Sequence, residues 1–348
     1  MFISYSFKTG NITIITHAAE KFMRKIITLC ALMLTSLTSW GFTPESGLYW
    51  NADEPGSGYT FEIQDNFFFG VFYVYDDAGI PFWYTTSGIM DGNAFVEGDI
   101  FISEDGPCLA CAYTPNNTFT SNLGKARINF LTETTATITM LGQTLFVERF
   151  NFFLGDQLQK MRGEWQVVYD VSEYSNDFPF FADVLIFEQT ETFDDDYLAT
   201  GCRSESTFYN RCTNFALNNN DLAAAYDTVN EELIAVVRDD ADYFLAYYLK
   251  TGTNQFDGEA FSYEVGNSPD LSLAGFSVRG FRSASKTFVD SGTGPSKSSA
   301  NNSNKTASGL NKLLNTSKLK SAPTSELDLA AQQRIMTTIK RLEQQLTQ

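Results

Sequence analysis

The chain has 348 residues, 42 of them acidic and 24 basic, for a formal net charge of −18, and 15% are aromatic. That length suffices for two domains of ordinary size. The acidic balance excludes the basic footprint that a nucleic-acid backbone or an anionic membrane surface requires.

The N-terminal region has the layout of a signal peptide. Met23-Arg24-Lys25 is a short basic segment, Ile26 to Leu37 is apolar, and Ser39-Trp40-Gly41 offers small residues for cleavage after Gly41. Met23 is the expected start, with residues 1–22 an upstream extension. The apolar run is about 12 residues, short for a membrane span, so no integral span is expected after cleavage. Cys30 follows Leu29, which is too large for the small residue that precedes a lipidated cysteine. Cleavage also removes His17, the single histidine. The mature chain then lacks Ser-His-Asp catalysis, imidazole metal ligation and a histidine general base.

Gly47 to Gly88 is the most patterned stretch. Gly47 to Asn51 reads as a strand entry anchored by Tyr49 and Trp50. Glu54-Pro55-Gly56-Ser57-Gly58 is turn chemistry, with Pro presetting φ and the glycines tolerating positive φ. Tyr59 to Ile63 alternates Tyr, Phe and Ile with Thr60 and Glu62, the pattern of a half-buried strand. Phe67 to Tyr75 is aromatic and β-branched without a polar break, which predicts a strand covered on both faces. Asp76 to Gly79 is a hairpin turn. Pro81 opens the return strand, which carries Trp83 and Tyr84.

This stretch resembles a repeat of secreted proteobacterial proteins, G-x-W-W-N-P-x-E-x-G-x-G-F followed by W-F-T-Y-D-x-x-G-x-P-x-W-Y. The residues that carry the resemblance are Gly47, Trp50, Asn51, Glu54, Gly56, Gly58, Tyr59, Phe72, Tyr75, Asp76, Gly79, Pro81, Trp83 and Tyr84. It extends to about residue 150, through Gly98 to Phe101, Gly124 to Met140 and Gly142 to Phe150. Tyr49 departs from the family's Trp, and Ala52-Asp53 from its Pro. The family has no assigned activity, so the resemblance implies a secreted or envelope β module and supplies no catalytic residue.

Further along, strands are expected at Ala94–Ser103, Ala126–Thr132, Ala136–Met140 and Thr144–Phe152, with a loop over Glu104–Asn122. Leu154–Met161 reads as a connection. Gly163-Glu164-Trp165 opens a second unit with strands at Ala182–Gln189, Glu232–Arg238, Asp242–Lys250 and Glu259–Val265. Glu191–Asp196 reads as an acidic loop, Cys202–Cys212 as a polar loop and Asp221–Tyr226 as a short helical turn. Residues from Ser291 to Ser325 lack the apolar surface to offset ordering. Ser325 to Gln348 carries Leu327, Ile335, Ile339, Leu342 and Leu346 on one helical stripe, with Ser325 the expected N-cap. By itself such a short helix frays; its basic side chains offer docking on the acidic body or on a partner.

The expected architecture is therefore all-β. Two small antiparallel barrel or sandwich domains (42–155 and 156–288) precede a disordered linker (289–325) and a C-terminal helix (326–348). Four cysteines remain after the leader. The pairs Cys108–Cys111 and Cys202–Cys212, each close in sequence, suit two disulfides in an oxidising compartment.

Several motifs point to chemistry and are outweighed by context. Cys108-Leu109-Ala110-Cys111 sits in a Gly-Pro loop and not at the helix N-terminus of a redox pair. Ser283-Ala284-Ser285-Lys286 and Lys250-Thr251-Gly252 match S-x-x-K and K-T-G in the wrong order and in β context. Asp194 to Asp196 and Asp239 to Asp242 lack the oxygen spacing of a calcium loop. No metal or cofactor is expected. Glu54, Glu62, Glu97 and Asp99 lie near the aromatic hairpin, where a carboxylate pair would suit glycan hydrolysis.

Tyr49, Trp50, Trp83 and Tyr84 form the candidate contact set for a sugar or another flat ligand. The leading expectation is a secreted or periplasmic, non-catalytic binding module for glycan or another envelope protein, with no nucleic-acid partner. A carboxylate-based glycan hydrolase is the first alternative. A structural envelope protein with no small ligand is the second.

Overall fold

The computed structural model describes residues 42–92, 95–152, 154–174, 179–193, 196–203, 221–239, 242–291 and 324–346. The leader expectation, His17, Cys212, Asp194, Asp195, Asp240 and most of the Ser-rich linker lie outside the described residues.

Eight antiparallel strands close the first barrel. They are β1 (Gly47–Trp50), β2 (Gly58–Gln64), β3 (Phe67–Tyr75), β4 (Pro81–Ile89), β5 (Phe95–Glu104), β6 (Asn117–Phe130), β7 (Thr135–Met140) and β8 (Gln143–Arg149). Each pairs with the next in sequence, and β8 returns to β1 through Tyr49↔Arg149 and Trp50↔Glu148. Closure removes the free edges that an open meander would leave. The period-2 alternation decides what fills the barrel: Tyr49, Tyr59, Phe61, Phe68, Phe72, Ile128, Phe130 and Ile138 point inward and are buried. Tight turns set the register. At the β3–β4 turn Gly79 takes φ +75°, and Asp76 Oδ1 accepts from the N–H of Ala78 and of Ile80 at 2.9 and 2.8 Å.

The expected loop over Glu104–Asn122 is shorter than its composition suggests. Its second half is strand, because Asn117 to Thr120 pair with Glu104 to Phe101 and lengthen the β5–β6 hairpin. The loop holds the Cys108–Cys111 disulfide.

The connection 154–161 contains a short helix, α1 (Gln157–Met161), capped by Asp156, whose side chain accepts from Leu158 and Gln159 N–H.

The second barrel comprises β9 (Gly163–Asp170), β10 (Phe180–Phe193), β11 (Asp196–Arg203), β12 (Leu222–Asp227), β13 (Glu232–Arg238), β14 (Tyr243–Thr251), β15 (Gln255–Glu264) and β16 (Phe276–Ser285). It is also an antiparallel meander, closed where β9 pairs with both β10 and β16. Two expectations are corrected here. Asp221–Tyr226 is not a helical turn; its residues lie between β11 and β13, and ladder pairing on both sides overrides the helix preference of its three alanines. Glu191 to Phe193 and Asp196 are strand, not loop.

A short helix α2 (Lys286–Ser291) follows, and α3 (Leu329–Leu346) packs on the outside of the second barrel. Its apolar stripe, Ile335, Ile339, Leu342 and Leu346, is buried against outward residues of β12 to β14, among them Ala223, Ile234, Val236 and Phe244. Arg334 pairs with Asp227 at 3.3 Å and Glu232 at 2.5 Å, and Arg341 with Asp196 at 2.9 Å. The helix does not fray alone; it docks on the acidic barrel. It also starts later than expected. Asp328 caps it, accepting from Ala331 N–H at 2.7 Å, while Ser325 accepts from Leu327 N–H one turn earlier.

Candidate functional site

The first candidate surface is the outer face of the β3–β4 hairpin. β3 does not have both faces covered, as its unbroken apolar sequence predicts. Phe68 and Phe72 fill the barrel, while Phe67, Phe69, Tyr73 and Tyr75 point out, and each is between 41 and 53% exposed. Register places Trp83 opposite Tyr73 and Ile89 opposite Phe67, and these are 50 and 62% exposed. The row follows a nine-residue strand, roughly 30 Å long. Polar residues flank it: Glu62 is opposite Phe69 and Gln64 opposite Phe67 on β2, and Ser87 is opposite Phe69 on β4.

The second is a cleft of about 550 Å³ whose lining runs from Trp50, the 132–135 turn and the 148–151 segment, across α1, to the β12–β13 and β14–β15 turns of the second barrel. Its floor holds buried charge. Glu133 is 2% exposed, and its Oε1 has no hydrogen-bond partner. Burial pushes its carboxyl above the usual carboxylate range, opposed by its own backbone N–H and by Lys250, with Asp257 and Glu45 adding to the rise. Lys160, in the last turn of α1, is 8% exposed and donates from Nζ to the carbonyl of Thr251 at 3.2 Å. Burial pulls its ammonium down to about 8, against the pull of Glu45 and Glu133. Burial, then the nearby Glu231 and Asp227, pushes the Tyr226 hydroxyl up to about 12.

The sequence-derived contact set divides between these surfaces and the core. Tyr49 is fully buried inside the first barrel, with its hydroxyl donating to the carbonyl of Glu45 at 2.6 Å. Burial raises that hydroxyl well above the ordinary phenol range. Tyr84 is half-buried and packs on the same core. Trp50 is half-buried, lines the cleft, and meets Phe150 edge-on at 5.0 Å. Trp83 stands on the exposed row.

The four carboxylates near the hairpin do not meet in the cleft. Glu54 and Asp99 are exposed, Glu62 faces outward, and Glu97 is held by Arg127 at 2.7 Å. That hydrogen bond, with the nearby charges of Arg127 and Lys125, holds the Glu97 carboxyl below its usual range.

Other motifs serve structure. Cys202 is buried and disulfide-bonded. Asp239 pairs with Arg203, which also meets Asp183 at 2.6 Å. Ser283 donates to Glu164 Oε1 at 2.6 Å. Among the described residues no group of histidine, cysteine or carboxylate side chains is arranged to hold a metal ion. No described helix is long and apolar enough to cross a membrane.

Glu133 and Lys160 carry no motif that sequence reading can detect. They share a cleft only because the β6–β7 turn and α1 both border it. No family model, no curated protein and no solved structure matches the chain.

Proposed function

We propose that this protein is an exported, non-catalytic binding module that holds a neutral polysaccharide along the outer face of the β3–β4 hairpin. The observation that carries this reading is the exposed row Phe67, Phe69, Tyr73, Tyr75 and Trp83. Apolar rings left in water over such a length are costly unless a partner covers them. The flanking Glu62, Gln64 and Ser87 suit the hydroxyls of a sugar chain, and the rings suit its apolar faces. A net charge of −18 disfavours polyanions. The Cys108–Cys111 disulfide supports an oxidising compartment, in keeping with export to the periplasm or beyond.

The test is retention on insoluble cellulose and chitin, read beside size-exclusion light scattering. The wild type is expected to be retained on at least one polymer. The doubly substituted Trp83→Ala/Tyr73→Ala protein, with an unchanged melting temperature, is expected to lose at least tenfold in affinity, the scale of two lost ring contacts. Retention that survives the double substitution, or a dimer that buries Trp83, would overturn the reading. Release of reducing ends from the polymer would replace it with a hydrolase.

A further inference from the structure

The cleft between the barrels is separate from the aromatic row. Three buried polar groups line it with unused hydrogen-bonding capacity. Glu133 Oε1 and Thr251 Oγ1 have no partner, and Lys160 donates one hydrogen bond, to the Thr251 carbonyl. An ammonium has three donors, so two remain. Leaving such groups buried and unsatisfied costs about 1–3 kcal/mol each. A structure tolerates that where ordered water or a ligand completes the bonds.

The charges lining the cleft balance. Glu133, Glu148 and Glu231 face Arg149, Lys160 and Lys250 in a chain whose net charge is −18. The lining thus carries three groups of each sign inside an acidic molecule, with Glu45 behind Arg149. A ligand with net charge of either sign would leave one set uncompensated. The groups also demand opposite things of one small molecule: a donor for Glu133, an acceptor for Lys160, and a group that does either for Thr251. A hydroxyl does all three. The half-buried ring of Trp50, set edge-on to Phe150, supplies the apolar wall on which a pyranose face stacks. The volume of about 550 Å³ is that of a small-molecule site, too small for a polymer to lie along.

From this geometry we infer that the cleft binds a short neutral saccharide, with Glu133, Lys160 and Thr251 taking its hydroxyls and Trp50 its apolar face. The site uses none of the residues of the outer row, so it stands or falls separately from polymer binding there.

The experiment titrates the full chain with glucose, N-acetylglucosamine, cellobiose and chitobiose. Alanine and inorganic phosphate serve as zwitterionic and anionic comparisons. The readouts are saturation-transfer NMR and tryptophan fluorescence. At least one saccharide is expected to bind and to shift the fluorescence, and Trp50→Phe should abolish the shift. Glu133→Gln and Lys160→Met should each weaken binding roughly tenfold or more, the cost of losing a hydrogen bond to a charged group. Both substitutions roughly preserve side-chain volume, and melting temperature reports whether they fold. Trp83→Ala should leave the saccharide affinity unchanged, while the cleft variants leave polymer retention unchanged. The inference is overturned if no saccharide in the panel binds, if alanine or phosphate binds as tightly, or if binding persists in the folded Glu133→Gln/Lys160→Met protein.

Discussion

Glu45, two residues before the first strand of the first barrel, accepts a 2.6 Å hydrogen bond from the backbone N–H of Asn254 in the second barrel, 209 residues away. The same Oε1 accepts from Gln255 N–H at 3.1 Å, and Oε2 lies 3.3 Å from Arg149 Nε at the end of β8. One buried carboxylate thus ties the β14–β15 turn of one barrel to the closing seam of the other. Gly252 is part of the fit, since a Cβ there would stand 2.5 Å from Glu45 Oε1.

Glu45→Ala should therefore destabilise the protein by about 2–4 kcal/mol, because it leaves two buried amide N–H groups without an acceptor and the half-buried Arg149 guanidinium with the Ser46 carbonyl but without its carboxylate. Glu45→Gln, which keeps one acceptor, should cost less. Urea unfolding measures both. The Ala variant should also be cut faster by protease in the 150–156 connection. Equal urea midpoints for wild type and Glu45→Ala would show that the two barrels do not depend on this contact.

A second prediction concerns the interior of the second barrel. Gly280 and Phe256 are direct partners across β16 and β15, and the Phe256 ring lies over the glycine. A Cβ at 280 would sit 2.1 Å from a ring carbon. The ring cannot swing away, because it is fully buried and packs on Trp165 at 5.2 Å. Gly280→Ala should cost about 1–3 kcal/mol by overpacking. Adding Phe256→Leu should recover part of that loss, so the two changes are non-additive. A double-mutant cycle showing simple additivity would refute the account.

The same physics explains what was legible in the sequence. Most strands of the first barrel, the β class and the Cys108–Cys111 pair follow from local pattern and spacing, whereas β11, β12 and β16 do not. What covers a strand does not. Phe67–Tyr75 and Leu233–Val237 both lack a polar break, and both point a set of side chains out of their barrels. In the second case Ile335 and Ile339, about a hundred residues on, lie on that outer face and bury it. In the first, Tyr73 and Trp83 stay in water. Composition alone cannot separate a strand covered by a distant helix from one that keeps its rings for a partner. The cleft was illegible for a related reason. Glu133, Lys160 and Thr251 sit in unremarkable polar segments, and only barrel closure and the Glu45 tie bring them together. Trp50 was legible as a large residue at a strand entry, though not which way it faces.

The last prediction follows from the burial of Lys160. Its ammonium titrates near 8 in the folded chain, against 10.5 for a free lysine. Below pH 8 both folded and unfolded states hold the proton, and the folded state bears the full cost of burying the charge. Between pH 8 and 10.5 the folded chain releases its proton while the unfolded chain keeps it, so stability rises with pH across that window. Above 10.5 both states are neutral and the penalty is gone. The shift corresponds to about 3 kcal/mol. Lys160→Met has no such group. Other lysines and tyrosines also titrate in alkali, so the informative quantity is the difference between the two proteins. The stability of wild type relative to Lys160→Met should rise by up to about 3 kcal/mol from pH 7.5 to 10.5, measured by urea unfolding at matched ionic strength. A difference that stays flat would mean that Lys160 is solvated in the folded chain, and that the floor of the cleft is wetter than its burial indicates.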